Sequence, residues 1–335
     1  MSQKPATIKE IAKRLNVSVS TVSRALHDHP SIGLKTKMEV RKMAAELNYE
    51  PNQAAISFKK GKTMTLGVIL PNLSEEFFSI AINGIEDIAT QNDYTVLIGQ
   101  SHDDVNREIQ IADTMRKHRV DGILVSLAKT TKNYDHFEQL KALNIPVVFF
   151  DRLPDLENIN AVSCNLENSS VELVDWLVNA GHKRIGFIKG PDNLVHSQQR
   201  LTGYKHALQK NRIELEDNLM VATDLSSEKT AKAMQKLLSL KKPPTAVIAF
   251  NDYVALDAMQ YAKTHGLQIN KDIFFGSYAN LPLTTYLDNP PIVSVEQFPY
   301  EQAEKATEIL LGLINDPKGT SQNIVLESSL VVRKK

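Results

Sequence analysis

The chain has 335 residues, of which 42% are hydrophobic, and its 39 basic and 39 acidic side chains leave a formal net charge of zero. This length is sufficient for two globular lobes and a small additional domain. The single cysteine, Cys164, excludes an internal disulfide framework and fits a reducing compartment. We find neither a signal peptide nor the roughly 18 consecutive apolar residues that a membrane helix needs, so a soluble, cytoplasmic protein is expected.

The charges are unevenly distributed along the chain. Up to Lys62, twelve basic residues stand against five acidic ones, so this segment carries about +7 and the remainder about −7. Such a division predicts a head that contacts phosphate groups and a body that does not, although a solvated basic face would give the same count.

The first predicted elements are two short helices within residues 7–26. Thr7 and Glu10 form an S/T-x-x-E capping box, so the first helix should begin at Ile8, and Ser18 offers a second N-cap. Two short helices joined by a tight turn, the second with a small polar outer face, are the plan of a helix-turn-helix DNA reader. An ordinary helical hairpin inside a larger bundle fits the spacing equally well.

The sequence of residues 7–26, TIKEIAKRLNVSVSTVSRAL, resembles the N-terminal helix-turn-helix of the lac-repressor (LacI/GalR) family of bacterial transcription regulators. The resemblance continues through NYEPN at residues 48–52, and looser matches follow in the right order as far as Arg333. It implies a homodimer that reads a palindromic, double-stranded operator.

The resemblance also implies which residues contact DNA. The start of the second helix enters the major groove, so Val19, Ser20 and Arg24 face the bases. Arg24 can form a bidentate pair with guanine O6 and N7, and Val19 can pack on a thymine methyl. Four residues have small hydroxyl groups that can contact phosphates or serve only as helix caps: Thr7, Ser18, Thr21 and Ser23.

Residues 1–50 are therefore predicted to form the helix-turn-helix domain, and residues 51–62 correspond to the family's hinge helix and linker. In the family, a leucine from each subunit of the dimer wedges into the minor groove. Phe58 stands at that position here and is a suitable wedge, but it can instead pack against the body. Tyr49 and Asn52, from the NYEPN match, complete the predicted DNA contacts.

From Thr65 onwards the sequence alternates predicted strands and helices, as a doubly wound parallel sheet requires. The pattern begins again at Ile185, so the body is predicted to be two α/β lobes of the periplasmic-binding-protein type I architecture. The predicted body spans 63–335, with an N-lobe of about 63–161 and 292–323, a C-lobe of about 162–291 and 324–335, and crossings near Val162, Pro290–Val295 and Ile324.

Ligands of such sheets bind outside the carboxyl ends of the strands, here in the crevice between the lobes. Arg200 matches the family arginine that reaches the effector. Carboxylates, amides and an arginine flanked by aromatic rings suit a sugar-sized polyol, although each residue alone is more often a core or strand-end contact. The predicted effector-binding residues are Phe77, Phe78, Ser126, Asp151, His196, Arg200, Asn251, Asp252, Asn280 and Gln297.

Ala279 departs from the family pattern. The family often carries an acidic residue there that holds sugar hydroxyls, and Asn280 is expected to substitute only in part. This departure weakens the sugar interpretation without indicating another class of effector.

We therefore predict a dimeric repressor controlled by a sugar or sugar derivative. Control by a nucleobase or a protein co-effector is the alternative, and a sugar-binding transport protein is a remote one, because the chain has a DNA head and no signal peptide. The sequence contains no G-x-G-x-x-G, Walker loop, G-x-S-x-G or metal-spaced Cys/His group. No enzymatic activity, cofactor, metal or membrane partner is expected.

Overall fold

The protein is described by a computed structural model over residues 6–49 and 61–333, and its chain divides into two compact units between Thr63 and Met64. The described residues of the first unit form three helices: α1 (Ile8–Leu15), α2 (Val19–Leu26) and α3 (Leu34–Glu46). They enclose a small core made of Ile11, Ala12, Val22, Ala25 and Val40.

The starts of α1 and α2 follow the sequence signals. The Thr7 hydroxyl accepts a hydrogen bond from the backbone N–H of Glu10 at 3.3 Å, and the Ser18 hydroxyl accepts one from Thr21 at 3.0 Å. These side chains satisfy backbone donors that the first turn of a helix leaves unpaired. The predicted start of α1 at Ile8 is confirmed.

The second unit contains twelve strands and eight helices among its described residues. Its first half consists of β1 (Thr65–Leu70), α4 (Glu76–Gln91), β2 (Thr95–Gln100), α5 (Val105–Lys117), β3 (Gly122–Val125), α6 (Asp135–Ala142), β4 (Val147–Phe150) and β5 (Ala161–Cys164). The chain continues with α7 (Leu166–Asn179), β6 (Ile185–Lys189), α8 (Val195–Lys210), β7 (Met220–Ala222), α9 (Ser227–Leu238), β8 (Ala246–Ala249), α10 (Asp252–Thr264) and β9 (Phe274–Tyr278). The last elements are β10 (Val293–Glu296), α11 (Pro299–Asn315), β11 (Asn323–Leu326) and β12 (Ser329–Val332).

The strands form two six-stranded sheets with the same order. One sheet runs β2-β1-β3-β4-β5-β11 and the other β7-β6-β8-β9-β10-β12, and every neighbouring pair is parallel except β10 with β12. Short, fully buried strands rich in Val and Ile, such as β3 and β8, suit sheets that helices cover on both faces. The predicted pair of doubly wound α/β lobes is confirmed.

The chain crosses between the lobes three times, and each crossing comes a few residues later than predicted. All of β5 and β11 belongs to the first sheet, and all of β10 belongs to the second, so Val162, Val293 and Ile324 lie inside strands. The crossings follow the strand ends because a strand that pairs along its whole length cannot leave its sheet part-way.

Cys164, the last residue of β5, lies directly before the first crossing. It is buried, and its thiol donates to the backbone oxygen of Gln297 over 2.8 Å. Burial raises the pKa of the Cys164 thiol to about 12, so it is inert as a thiolate nucleophile at neutral pH. Within residues 6–49 and 61–333, no helix is long and apolar enough to cross a membrane.

Candidate functional site

The outer face of α2 carries the predicted base-reading residues. Val19, Ser20 and Arg24 are exposed, whereas Val22 and Ala25 face the core of the head. Val19 is 41% exposed, so its side chain is accessible for contact with a base. Across the described part of the head, Arg24 pairs with no acidic side chain, so its guanidinium is free to meet a base edge.

The hydroxyl residues lie around the same helix start. The Ser18 hydroxyl contacts the hydroxyls of Ser20 at 2.7 Å and Thr21 at 2.8 Å, in addition to capping α2. Thr7 caps α1, and Ser23 is half-buried on α2. The capping role of Thr7 and Ser18 is thus in the structure, while phosphate contacts by these four residues remain a prediction.

Tyr49 packs against the core of the head and is half-buried. Burial raises the pKa of its phenol, so it stays protonated and can donate to a phosphate oxygen. The predicted hinge contacts, Asn52 and Phe58, lie outside the described residues.

The second candidate site lies between the two lobes, at the carboxyl ends of their strands. Most of the predicted effector residues meet there around a cavity of about 30 Å³. Ligand pockets typically measure roughly 300–1,000 Å³, so the lobes must separate before a sugar enters. The predicted residues that line this cavity are Phe77, Phe78, Asp151, His196, Arg200, Asn251 and Gln297.

Arg200 on α8 is the most deeply enclosed cation of the cleft, with 3% of its surface exposed. Its guanidinium lies between the rings of Phe250 and Tyr278, whose centroids are 4.3 and 4.5 Å from the guanidinium carbon. Nη2 donates to Gln297 Oε1 at 3.1 Å. Burial lowers the pKa of Arg200 to about 10, so the side chain remains charged at neutral pH.

Asp151 follows β4 and faces α8 across the cleft. Its carboxylate accepts a hydrogen bond from Ser126 at 3.3 Å and lies 3.5 Å from Nδ1 of His196. Burial raises the pKa of Asp151 to about 6, against the attraction of Arg152 and Arg200. Burial, aided by the same two arginines, holds the pKa of His196 well below its usual value, so this imidazole is neutral. Asp151 is therefore an acceptor that a ligand hydroxyl could use.

The backbone is strained at two positions of the cavity wall. Asp151 has φ of 56° and Ala279 has φ of 90°, in the left-handed region that side chains other than glycine rarely adopt. Such conformations concentrate at ligand sites, where the surrounding structure holds them in place.

Three predicted effector residues, Asp252, Asn280 and Ser126, do not line the cavity. Asp252 is fully buried and accepts hydrogen bonds from Ser277, Ser294 and the backbone of Leu281. Asn280 donates to Glu296 at 2.8 Å and accepts from Arg333 at 2.6 Å. The side chains of Asp252 and Asn280 hold the strand ends of the C-lobe together, and neither lines the cavity in this structure. Ser126 likewise lies behind Asp151 and supports it.

The sequence reasoning missed several residues of the cavity wall. Arg152 is buried beside the Phe78 ring and pairs with Asp103 at 2.6 Å and, more loosely, with Glu75 at 3.8 Å. The position of Arg152, directly after a buried strand, was the available signal. The other missed lining residues are Glu75, Phe250, Tyr253 and Leu281, and the wall also contains Ala279, at the position discussed above.

Direct contacts between the lobes close the rim of the cleft. The Tyr253 hydroxyl donates to the backbone oxygen of Ser74 at 3.2 Å, and Glu76 accepts from the backbone of Leu283 at 3.0 Å. On the other side, Asn193 donates to the backbone oxygen of Lys129 at 2.6 Å. These hydrogen bonds are exposed or half-buried, but the C-lobe residues Ala279 and Leu281 also pack in the apolar core of the N-lobe, so opening the cleft exposes apolar surface as well.

Comparisons with known proteins agree with this architecture. Residues 7–52 match the model of bacterial regulatory proteins of the lacI family, and residues 66–318 match a periplasmic binding protein domain. The chain is 32% identical to the transcriptional repressor CytR of Escherichia coli (strain K12) over 98% of its own length and 95% of the relative. The chain belongs to the LacI family. It is thus a DNA-binding transcription regulator, as predicted.

Other LacI-family proteins are similar over the same length. The ribose operon repressor of Haemophilus influenzae is 31% identical, with 98% of each chain covered. The structure of the lac repressor dimer bound to operator and the anti-inducer ONPF superposes with a TM-score of 0.86 at 26% identity, and 99% of each chain is covered. The likeness therefore includes both the helix-turn-helix unit and the two lobes.

Proposed function

We propose that this LacI-family protein is a cytoplasmic, homodimeric repressor whose operator affinity is controlled by a sugar or sugar derivative bound between the lobes. The observation that carries the proposal is the cleft itself, where a buried arginine, a carboxylate and aromatic rings converge from both lobes. An effector that binds one arrangement of the lobes better shifts the population toward that arrangement. Through the dimer, this shift alters the fit of the two heads to the half-sites.

The domain limits belong to the same proposal. Residues 1–50 act as the DNA-reading domain, residues 51–62 as the hinge and linker, and residues 63–335 as the effector-binding and dimerisation domain. The effector contacts proposed are Phe77, Phe78, Asp151, His196, Arg200, Asn251 and Gln297, with Ser126 supporting Asp151.

The N-lobe offers an apolar edge for the second copy of the dimer. Leu97 and Ile98 on edge strand β2 are 36% and 37% exposed, and Ile109 on the neighbouring α5 is 42% exposed. Adjacent exposed apolar side chains on an edge strand favour contact with another chain. A twofold dimer of this kind matches a palindromic operator.

Arg24→Ala tests the DNA-reading face. The variant should lose about 1–3 kcal/mol of specific binding energy and relax the preference at one base pair of each half-site, because it removes a bidentate contact to guanine. Selection of operators from a randomised DNA pool measures the profile. Arg14→Ala, which removes a charge paired with Glu10 on α1 at 2.8 Å, is the control for charge alone. A sequence profile that Arg24→Ala leaves unchanged would contradict the assignment.

Arg200→Met tests the effector site. The apolar side chain can occupy the space between Phe250 and Tyr278, so we expect folding and operator binding to persist while effector affinity falls about 10- to 100-fold. Gln198→Ala, at an exposed position of the same helix, should leave effector affinity unchanged.

The measurement is the affinity of the protein for DNA from its own promoter region, with and without each member of a panel of sugars and nucleobases. A response to a sugar that Arg200→Met abolishes supports the proposal. A response to nucleobases alone would replace the sugar by the alternative effector class, and a response that Arg200→Met retains would move the effector to another site.

A further inference from the structure

Two nitrogens of the Arg200 guanidinium, Nε and Nη1, are buried without a hydrogen-bond partner. The third, Nη2, donates to a neutral amide, that of Gln297. Among the residues that the structure describes, no carboxylate lies within ion-pair distance of Arg200. The two ring contacts offset part of the cost of burying this charge, but a buried cation with unpaired donors remains unfavourable.

The other buried arginine of the cleft, Arg152, is different. Its charge is balanced within the protein by Asp103 and Glu75. Both arginines line the same cavity. The cleft therefore contains one cation that the N-lobe neutralises and one, Arg200, that the C-lobe leaves without a counter-charge.

The C-lobe wall also offers few acceptors for hydroxyl groups; the unpartnered Nε2 of the neutral His196 is one of these few. Ala279 has no polar side chain, and the Asn251 carbonyl oxygen accepts from the backbone of Val254 as the cap of α10. Asp252 and Asn280 are occupied within the lobe. A neutral polyol would give Arg200 acceptor oxygens, but its hydroxyl protons would find few acceptors on this wall. It would also add no negative charge to the longer-range attraction that Asp151 of the N-lobe exerts on Arg200.

We propose that the effector carries an anionic oxygen group, a carboxylate or a phosphate, that pairs with Arg200. The proposal rests on the proposed function, because it specifies the chemistry of the effector in that same cleft. The anionic group lies at the C-lobe wall, and the hydroxyls of the effector lie toward Asp151. Sugar acids and sugar phosphates have this combination of groups.

The test is calorimetric titration of the full chain with compounds matched in pairs. D-glucuronate is compared with D-glucose, D-galacturonate with D-galactose, and glucose 6-phosphate with glucose, so that each pair differs at one carbon. We expect at least one acid to bind about tenfold or more tightly than its neutral partner, because a charge-assisted hydrogen bond is stronger than a neutral one. Comparing the uronates with glucose 6-phosphate shows whether the site prefers a carboxylate or a phosphate.

Ala279→Asp provides the matched variant. It places a carboxylate on the wall that Arg200 shares, and aspartate tolerates the left-handed backbone of this position better than most residues. We expect the variant to reverse the preference within the pair, because the new carboxylate neutralises Arg200 and repels an anion. Operator binding and the far-ultraviolet circular dichroism of the variant verify that it folds.

Each outcome decides a separate point. A neutral sugar that binds as tightly as its acid and changes operator affinity would overturn the anionic effector and leave the proposed function intact. A panel in which no compound binds or changes operator affinity would overturn both. An acid preference that Ala279→Asp leaves unchanged would remove Arg200 as the partner of the anion.

Discussion

Replacing Asp252 by alanine is expected to lower the free energy of unfolding by about 3–5 kcal/mol. The carboxylate is fully buried and receives hydrogen bonds from the hydroxyls of Ser277 and Ser294 and from the backbone N–H of Leu281. Ser277 and Ser294 belong to adjacent strands, β9 and β10, so one side chain joins them to the segment that follows β9. Alanine would leave two of these three buried donors unpaired, because the Ser277 and Ser294 hydroxyls keep only their 3.1 Å hydrogen bond to each other and the Leu281 N–H loses its acceptor.

Urea denaturation monitored by the fluorescence of Trp176 measures this effect. The single tryptophan lies on α7 of the C-lobe, the lobe that contains Asp252. Asp257→Ala is the matched control on the same helix. Asp257 is half-buried and accepts one hydrogen bond, from Ser227 at 3.0 Å, so its loss should cost about 1 kcal/mol. If Asp252→Ala instead retained full stability and lost only effector binding, Asp252 would be a direct ligand, as the sequence first indicated.

The neighbouring residues Asn251 and Asp252 show where sequence reasoning stops. Both were predicted for the effector site, because both follow strand β8 and the carboxyl ends of parallel strands meet at one edge. Only Asn251 reaches the cavity. The direction of a side chain after a strand depends on the next turn and on distant partners such as Ser277, and neither is encoded in the local pattern.

Elements with local causes were predictable. The start of α1 follows from Thr7 and Glu10, and buried strands such as β1 follow from short runs of Val, Ile and Leu. The repeat of the pattern at Ile185 indicated two similar lobes, and the matching strand orders confirm them. Arg152 was missed because its burial depends on Asp103, a residue 49 positions earlier in the chain.

The charge of Asp151 gives a second large expected effect, which depends on pH. Asp151→Asn should stabilise the effector-free protein by up to about 3 kcal/mol near pH 7.5 and have almost no effect near pH 4. The reason is that burial raises the pKa of this carboxyl to about 6, from an ordinary value of 3.8. The folded protein then holds the proton more tightly than the unfolded chain does.

The direction of the pH dependence follows from proton binding. Between about pH 4 and pH 6 the folded state binds more protons than the unfolded state at Asp151, so the stability of the wild type falls as the pH rises through this window. Above it, the penalty of the buried charge is complete. Asparagine has nearly the same shape and no charge, so it avoids the penalty at every pH while still accepting the hydrogen bond from Ser126.

Urea denaturation of both proteins at several pH values between about 4 and 8 measures the difference. Asp155→Asn, at an exposed position of the same loop, should follow the wild-type profile. The stabilised variant is also expected to bind effector more weakly, since it replaces the acceptor that the cleft offers to hydroxyl groups. A difference between Asp151→Asn and wild type that does not change with pH would show that the carboxylate is not penalised in the folded state. The presence of Asp151 in the cleft would then need no functional explanation. The predicted pH dependence, by contrast, means that the protein gives up stability at the position where the ligand binds.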